Sequence, residues 1–257
     1  MSKLPKQYQF IDLSDYGRLP GRWIALSLKD TSFTPIGVTT LFIVAGLSAI
    51  AAMLFGYTTL AAFLLVLKST IDAADGELSR LKNTPSYVGR YYDSIADIIL
   101  NFLLLFTFCY ITKGSIVYTF LAFFAIQLQG TVYNFYYVIL RHSVDGDATS
   151  RIFETDTPIA LKGEKQSTVN FFYKFYTFLY SVFDKIVYAL DKDAVNSKPF
   201  PKWFMTLVSM YGLGFQLLWM SVFLAFNLAA FVIPFFIYYS VFIVVFIAIR
   251  KLFLGSK

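Results

Sequence analysis

Six apolar runs of about 20 residues decide what this chain can fold into. Each is long enough to cross a hydrocarbon layer of roughly 30 Å. They lie near 35–55, 57–81, 87–112, 115–140, 203–226 and 229–250. A segment of that length in lipid must satisfy its backbone polar groups internally, which selects helices. The expected fold is therefore all-α: a polytopic membrane bundle of six transmembrane helices. The composition agrees, because 57% hydrophobic and 15% charged residues are too apolar a balance for a soluble domain of this length. No segment repeats with a period of 20 to 50 residues, which excludes a solenoid. The single cysteine, Cys109, lies in an apolar run and excludes both an intrachain disulfide and a thiolate metal site. The net charge of +6 is not gathered into a basic patch with stacking aromatics, so no nucleic-acid partner is expected.

The basic residues report topology instead. Six spans put both termini on one side. That side carries Lys3, Lys6, Arg18, Arg22 and Lys29, the turn after Arg80, nine basic residues between Arg141 and Lys202, and Arg250, Lys251 and Lys257; the other side carries Lys113. Positive residues favour the cytoplasm, so both termini are expected there. Residues 1–34 form a polar cytoplasmic segment without the short apolar core of a signal peptide. Within it YGRLPGRWIALSLKD suits a helix lying flat at the interface, Trp23 and Leu26 towards lipid. Residues 35–257 form the catalytic membrane domain, including a polar cytoplasmic connection at 141–202. The aromatic stretch QSTVNFFYKFYTFLYSVFDKIVYAL in that connection is interrupted by Lys174, Asp184 and Lys185 and reads as an interfacial amphipathic helix, with Ser167 or Thr168 as its cap. No retention or transit signal is visible, which favours a bacterial cytoplasmic membrane.

The functional signal is DAADGELSRLKNTPSYVGRYYDSIAD, residues 72–97. Asp72 and Asp75 are three apart, and Asp93 and Asp97 four apart, so each pair shares a helix face. The polar turn from Lys82 to Ser86 sets the two helices against each other. Carboxylates at membrane depth are costly to bury and mark a cavity or a functional site. Hard oxygen donors without thiolate or a nearby histidine suit Mg²⁺, Mn²⁺ or Ca²⁺, and four carboxylates suffice for two such ions. Paired ions of this kind hold phosphates. Arg80 adds a guanidinium fork shaped for phosphate. Gly76 and Gly89 remove side chains where a ligand can approach. Lys68 precedes Asp72 by one helical turn and is its simplest ionic partner. Asn101 follows Asp97 by one turn towards the same cavity. Gln127, Gln129 and Asn134 in the fourth span suit hydrogen bonds between helices.

With its gaps counted, the stretch is D-x2-D-G-x2-S-R-x8-G-x3-D-x3-D. It resembles the signature of the CDP-alcohol phosphotransferase family of integral membrane enzymes. Asp72, Asp75, Gly76, Arg80, Gly89, Asp93 and Asp97 match. Ser79 stands where that family usually has alanine. TPIGVTTL at 34–41 resembles the family's opening of the first span, with Gly37 where asparagine is frequent.

The resemblance implies transfer of a phosphoalcohol group from a CDP-activated alcohol to a hydroxyl, with release of CMP. Two divalent ions, Mg²⁺ or Mn²⁺, would sit on Asp72, Asp75, Asp93 and Asp97. The nucleotide would be held by Asp72, Gly76, Arg80 and Gly89, and Asp97 would be the general base. One branch of the family takes CDP-diacylglycerol and a small polar alcohol; the other takes CDP-choline or CDP-ethanolamine and a lipid alcohol. The short chain favours the first. A phosphorylated acceptor calls for added cations, for which Arg90, Arg141 and Arg151 are candidates beside Asn101. Homodimerisation is implied by the resemblance. A competing reading of another class is a divalent-cation transporter lined by the same four aspartates.

Overall fold

A computed structural model of the chain describes residues 4–144, 153 and 156–254. Ten α-helices follow in order: α1 (Arg18–Leu28), α2 (Pro35–Leu54), α3 (Thr58–Lys82), α4 (Tyr87–Thr112), α5 (Ile116–Ser143), α6 (Gln166–Leu190), α7 (Lys202–Val208), α8 (Leu213–Ala225), α9 (Val232–Tyr239) and α10 (Val241–Phe253). Among the described residues there is no strand, as long apolar segments in lipid require.

α2, α4, α5 and the stretch Ala229–Phe253 are each long and apolar enough to cross a membrane. The segments Lys202–Tyr211 and Leu213–Ala225 are long and apolar enough only when taken together, and they meet at a 53° bend, the form of a broken span or of a re-entrant loop. α3, the sixth span expected from the sequence, is 25 residues long but carries the acidic stretch and its basic partners, and so fails the same measure of apolarity. It is nevertheless central, packing against α2, α1 and α8. Several of its charges meet neighbouring helices: Lys68 meets Asp97 of α4, Asp75 meets Thr39 of α2 and Glu77 meets Arg18 of α1.

The turns follow local rules. Thr34 caps α2 by accepting from the Gly37 amide, with Pro35 in the first turn. α3 ends at Asn83, whose left-handed backbone (φ 52°) closes the helix. Ser86 then caps α4, accepting from the Gly89 amide at 2.8 Å. α4 ends at Lys113 in the same left-handed form. The core runs between α3, α4, α5, α7, α8 and α9, and includes Leu65, Leu105, Phe108, Tyr136, Phe204, Leu217, Met220 and Phe236. Gln129 donates to the Phe236 carbonyl at 3.0 Å and to Ser240 at 2.9 Å, and Gln216 donates to Gln129 at 3.2 Å. These bonds tie α5 to α8 and α9 in the manner expected of polar residues in spans.

α1 lies along α3 with Trp23 73% exposed and Gly21 and Ala25 buried. A Cβ at Gly21 would stand 2.9 Å from the Thr70 carbonyl, so glycine permits this close approach. α6 is long but less apolar than the crossing helices. It packs against α4 and α5 with Val169, Phe183 and Val187 buried, and leaves Phe171 and Phe178 exposed. Its start differs from the cap expected: Lys165 is the N-cap residue, without a side-chain bond, and Ser167 and Thr168 lie inside the first turn. Its far end is pinned by a buried network. Asp191 accepts from Tyr136 at 2.6 Å and from Arg250 Nε at 2.8 Å, joining α6 to α5 and α10.

Candidate active site

The acidic site forms where α3 and α4 stay apart. α2 packs against both, whereas α3 and α4 are joined chiefly through side chains. Helical spacing places Asp72 and Asp75 on the inner face of α3, and Asp93 and Asp97 on the inner face of α4. Carboxylate oxygens of Asp72, Asp75 and Asp93 lie within 4.8 Å of one another. One oxygen of Asp93, Oδ1, is buried without a hydrogen-bond donor among the described residues. A buried anion without a donor is costly, and a divalent cation would supply the missing partner. All-oxygen donors at this spacing fit Mg²⁺ or Mn²⁺. Asp75 is oriented from α2, where the buried Thr39 hydroxyl donates to its Oδ2 at 2.6 Å.

Asp97 is placed differently. Its Oδ1 accepts from the Lys68 ammonium at 2.5 Å, and Lys68 also bonds Asp72 Oδ2 at 2.9 Å. Lys68 is 2% exposed, and its Nζ lies 4.3 Å from the centre of the Phe42 ring. Lys68 therefore bridges α3 to α4 in addition to pairing with Asp72.

The residues expected to hold the nucleotide beyond Asp72 lie on the last two turns of α3, Gly76 and Arg80, and the first turn of α4, Gly89. The Arg80 guanidinium lies over Gly76, with Nη1 3.4 Å from the point a Cβ would occupy. Arg80 Nη2 bonds Glu77 at 2.9 Å, and Glu77 also accepts from Arg18 Nε of α1 at 3.1 Å. Arg80 Nε is buried with no acceptor among the described residues and so is available to an anion. Gly89 sits in the first turn of α4. The Glu164 carboxylate covers that helix end, accepting from Ser86 Oγ at 2.7 Å and the Val88 amide at 2.8 Å. An acidic group at a helix N-terminus is stabilised by the unpaired amides and the helix dipole.

Two tyrosines complete the enclosure. Tyr180 of α6 donates to the Ser94 carbonyl at 2.7 Å. Burial, then the charge of Asp97, holds its phenol well above the ordinary value. Tyr16, in the turn before α1, is half-buried near Ser69, Lys68 and Asp72, and the burial of its hydroxyl raises its phenol.

The acceptor-side candidates are not brought to one place. Asn101 is buried one turn beyond Asp97. Arg90 lies over the rings of Tyr91 and Tyr87, at 4.6 and 5.7 Å, beside the Tyr173 and Tyr176 rings of α6. Arg141 is 1% exposed and lies 5.3 Å from the Tyr137 ring, which packs on Phe10 of the N-terminal segment. Arg151 falls outside the described residues. Sequence reasoning passed over Thr39, Glu77, Glu164, Tyr16 and Tyr180. Thr39 had a local signal, a hydroxyl within the 34–41 opening, and so had Glu77, three residues before Arg80; Glu164, Tyr16 and Tyr180 are set by contacts across 50 residues or more.

A helical membrane bundle whose interior holds an aspartate cluster flanked by arginine defines a class of metal-assisted phosphate chemistry. The chain belongs to the CDP-alcohol phosphatidyltransferase family, whose sequence model matches residues 33–224. Neither the curated proteins nor the solved structures searched gave a match. Membership makes the chain a transferase of the kind that moves a phosphate-linked group from a CDP-alcohol to an alcohol, in a family that uses divalent metals. Three carboxylates here meet the geometric requirement for a metal.

Proposed function

We propose that this chain makes a phospholipid by moving a phosphatidyl group from CDP-diacylglycerol to a small polar alcohol, releasing CMP. The supporting observation is the convergence of Asp72, Asp75 and Asp93 from two helices, one of which carries Arg80 in its last turn. A bound Mg²⁺ or Mn²⁺ would lie on these three carboxylates and supply charge neutralisation for the diphosphate. The second ion implied by the resemblance would require Asp97 to leave Lys68.

The chain's own residues do the rest. Gly76 and Gly89 leave space for the nucleotide, and Arg80 donates Nε to its phosphate. Asp97 takes the proton of the acceptor hydroxyl. The acceptor oxygen forms a bond to the phosphorus carrying the lipid, and the bond from that phosphorus to the CMP oxygen breaks. Lys68 and Thr39 keep the carboxylates in place, which is the positioning contribution. α3 serves as the sixth span, both termini and the site face the cytoplasm, where CDP-activated substrates are made available, and two copies associate as a homodimer in a bacterial cytoplasmic membrane.

Purified protein with Mg²⁺ and CDP-diacylglycerol should release CMP only when the right polar alcohol is added, and that alcohol names the product. CMP formed only from CDP-choline or CDP-ethanolamine with a lipid alcohol would transfer the chain to the other branch. Absence of CMP in folded protein under every pairing, with Mn²⁺ flux into vesicles, would establish the cation-transport reading in its place.

A further inference from the structure

The position of Lys68 is not used up by an ordinary ion pair. Its ammonium stands between Asp72 and Asp97, at 2.9 and 2.5 Å, with the Phe42 ring closing a further side at 4.3 Å. A Mg²⁺ ion bridging the same two oxygens would sit about 2.0–2.1 Å from each. The ammonium and such an ion need the same space, so they exclude each other. Lys68 cannot step aside cheaply either. It is 2% exposed, and Leu65 on the same helix and Phe42 on α2 are both fully buried. An ammonium moved off its two carboxylates towards Phe42 or Leu65 would enter apolar packing, where an unpaired charge is heavily penalised. The three carboxylates that do share a centre are Asp72, Asp75 and Asp93; Asp97 stands outside that group.

We propose that Lys68 is a resident cation of this site: it takes the position of a second metal between Asp72 and Asp97, and the chain holds one divalent ion, on Asp72, Asp75 and Asp93. The inference rests on the metal-dependent reading above and narrows it to one ion. Lys68 is thereby a positioning residue. It presents Asp97 with one oxygen engaged and the other directed to chemistry, and it supplies a charge that does not dissociate at low Mg²⁺.

The test is a Mn²⁺ titration of the full chain in lipid nanodiscs, followed by electron paramagnetic resonance. The wild-type protein should bind one Mn²⁺ per chain with the spectrum of an isolated ion. Lys68→Met should bind two, with the broadened spectrum of a coupled pair, since paired sites hold ions about 3.5–4 Å apart. Lys68→Arg should keep one. Asp97→Ala provides a second measure in a background that retains Lys68: Mn²⁺ affinity should stay within threefold, whereas a metal ligand lost there would weaken it tenfold or more. Two coupled ions in the wild type, one ion in folded Lys68→Met, or a tenfold loss in Asp97→Ala would overturn the role given to Lys68 and leave the metal-dependent reading standing. No bound Mn²⁺ in the wild type would overturn both.

Discussion

Replacing Asp97 by asparagine separates chemistry from binding in this site. The substitution keeps size and one oxygen, and it removes the charge and the ability to take a proton. The structural loss is limited. Lys68 retains Asp72 at 2.9 Å and can still donate to the asparagine oxygen in the place of Asp97 Oδ1. An uncompensated buried charge would cost about 3–5 kcal/mol. With one carboxylate kept, the expected destabilisation is about 1–2 kcal/mol, the scale of one weakened charge-assisted hydrogen bond. The cluster of Asp72, Asp75 and Asp93 is untouched, so Mn²⁺ and CDP should bind with affinities within about threefold of wild type. Turnover should fall by about 10²–10⁴, the usual contribution of a general base and equivalent to about 3–5 kcal/mol of barrier. The assay is acceptor-dependent CMP release at saturating donor, with CDP binding measured by calorimetry on the same preparation. Turnover within tenfold of wild type would remove Asp97 from the proton-taking role. Loss of CDP or Mn²⁺ binding would show instead that Asp97 belongs to the binding centre.

Asp93→Asn should behave oppositely, losing Mn²⁺ binding by tenfold or more by calorimetry, because its buried Oδ1 is the oxygen left for the ion. Arg250→Met should lower stability by about 3–5 kcal/mol, since it strands Asp191, 1% exposed, without its cation; the double variant with Asp191→Asn should recover most of the thermal stability, and a double variant no better than the single would refute the pairing. Glu164→Ala removes the carboxylate over the first turn of α4 and should cost about 1 kcal/mol; unchanged thermal melting would refute it. Gly21→Val should loosen α1 from α3 by about 1–3 kcal/mol, because its Cβ would stand 2.9 Å from the Thr70 carbonyl, and faster proteolysis within residues 18–28 would report it.

Much of the site was legible before any coordinates. The spacings within residues 72–97 place two carboxylate pairs on helix faces, and the polar turn between them sets the helices antiparallel. The helical reading of α2, α4 and α5 was equally local, since a 20-residue apolar run leaves a chain in lipid few alternatives. Less legible was the crossing status of α3, whose charges obscure its length, and the bend at Gly212 that splits the fifth run into α7 and α8. The aromatic stretch of 166–190 read as a surface helix; its buried face proves to carry Tyr180 to the carbonyl beside Asp93.

The sequence by itself determined the helix class, the aspartates that meet in the acidic cluster and the family, because period, length and motif spacing are properties of neighbours along the chain. The tertiary structure decided which charges meet. Lys68 reaches Asp97 of α4, Thr39 reaches Asp75 from α2, Glu77 holds Arg18 and Arg80 together, and Glu164 closes the first turn of α4. A buried charge takes its partner from whichever helix the packing makes adjacent, and no spacing along the chain encodes that adjacency.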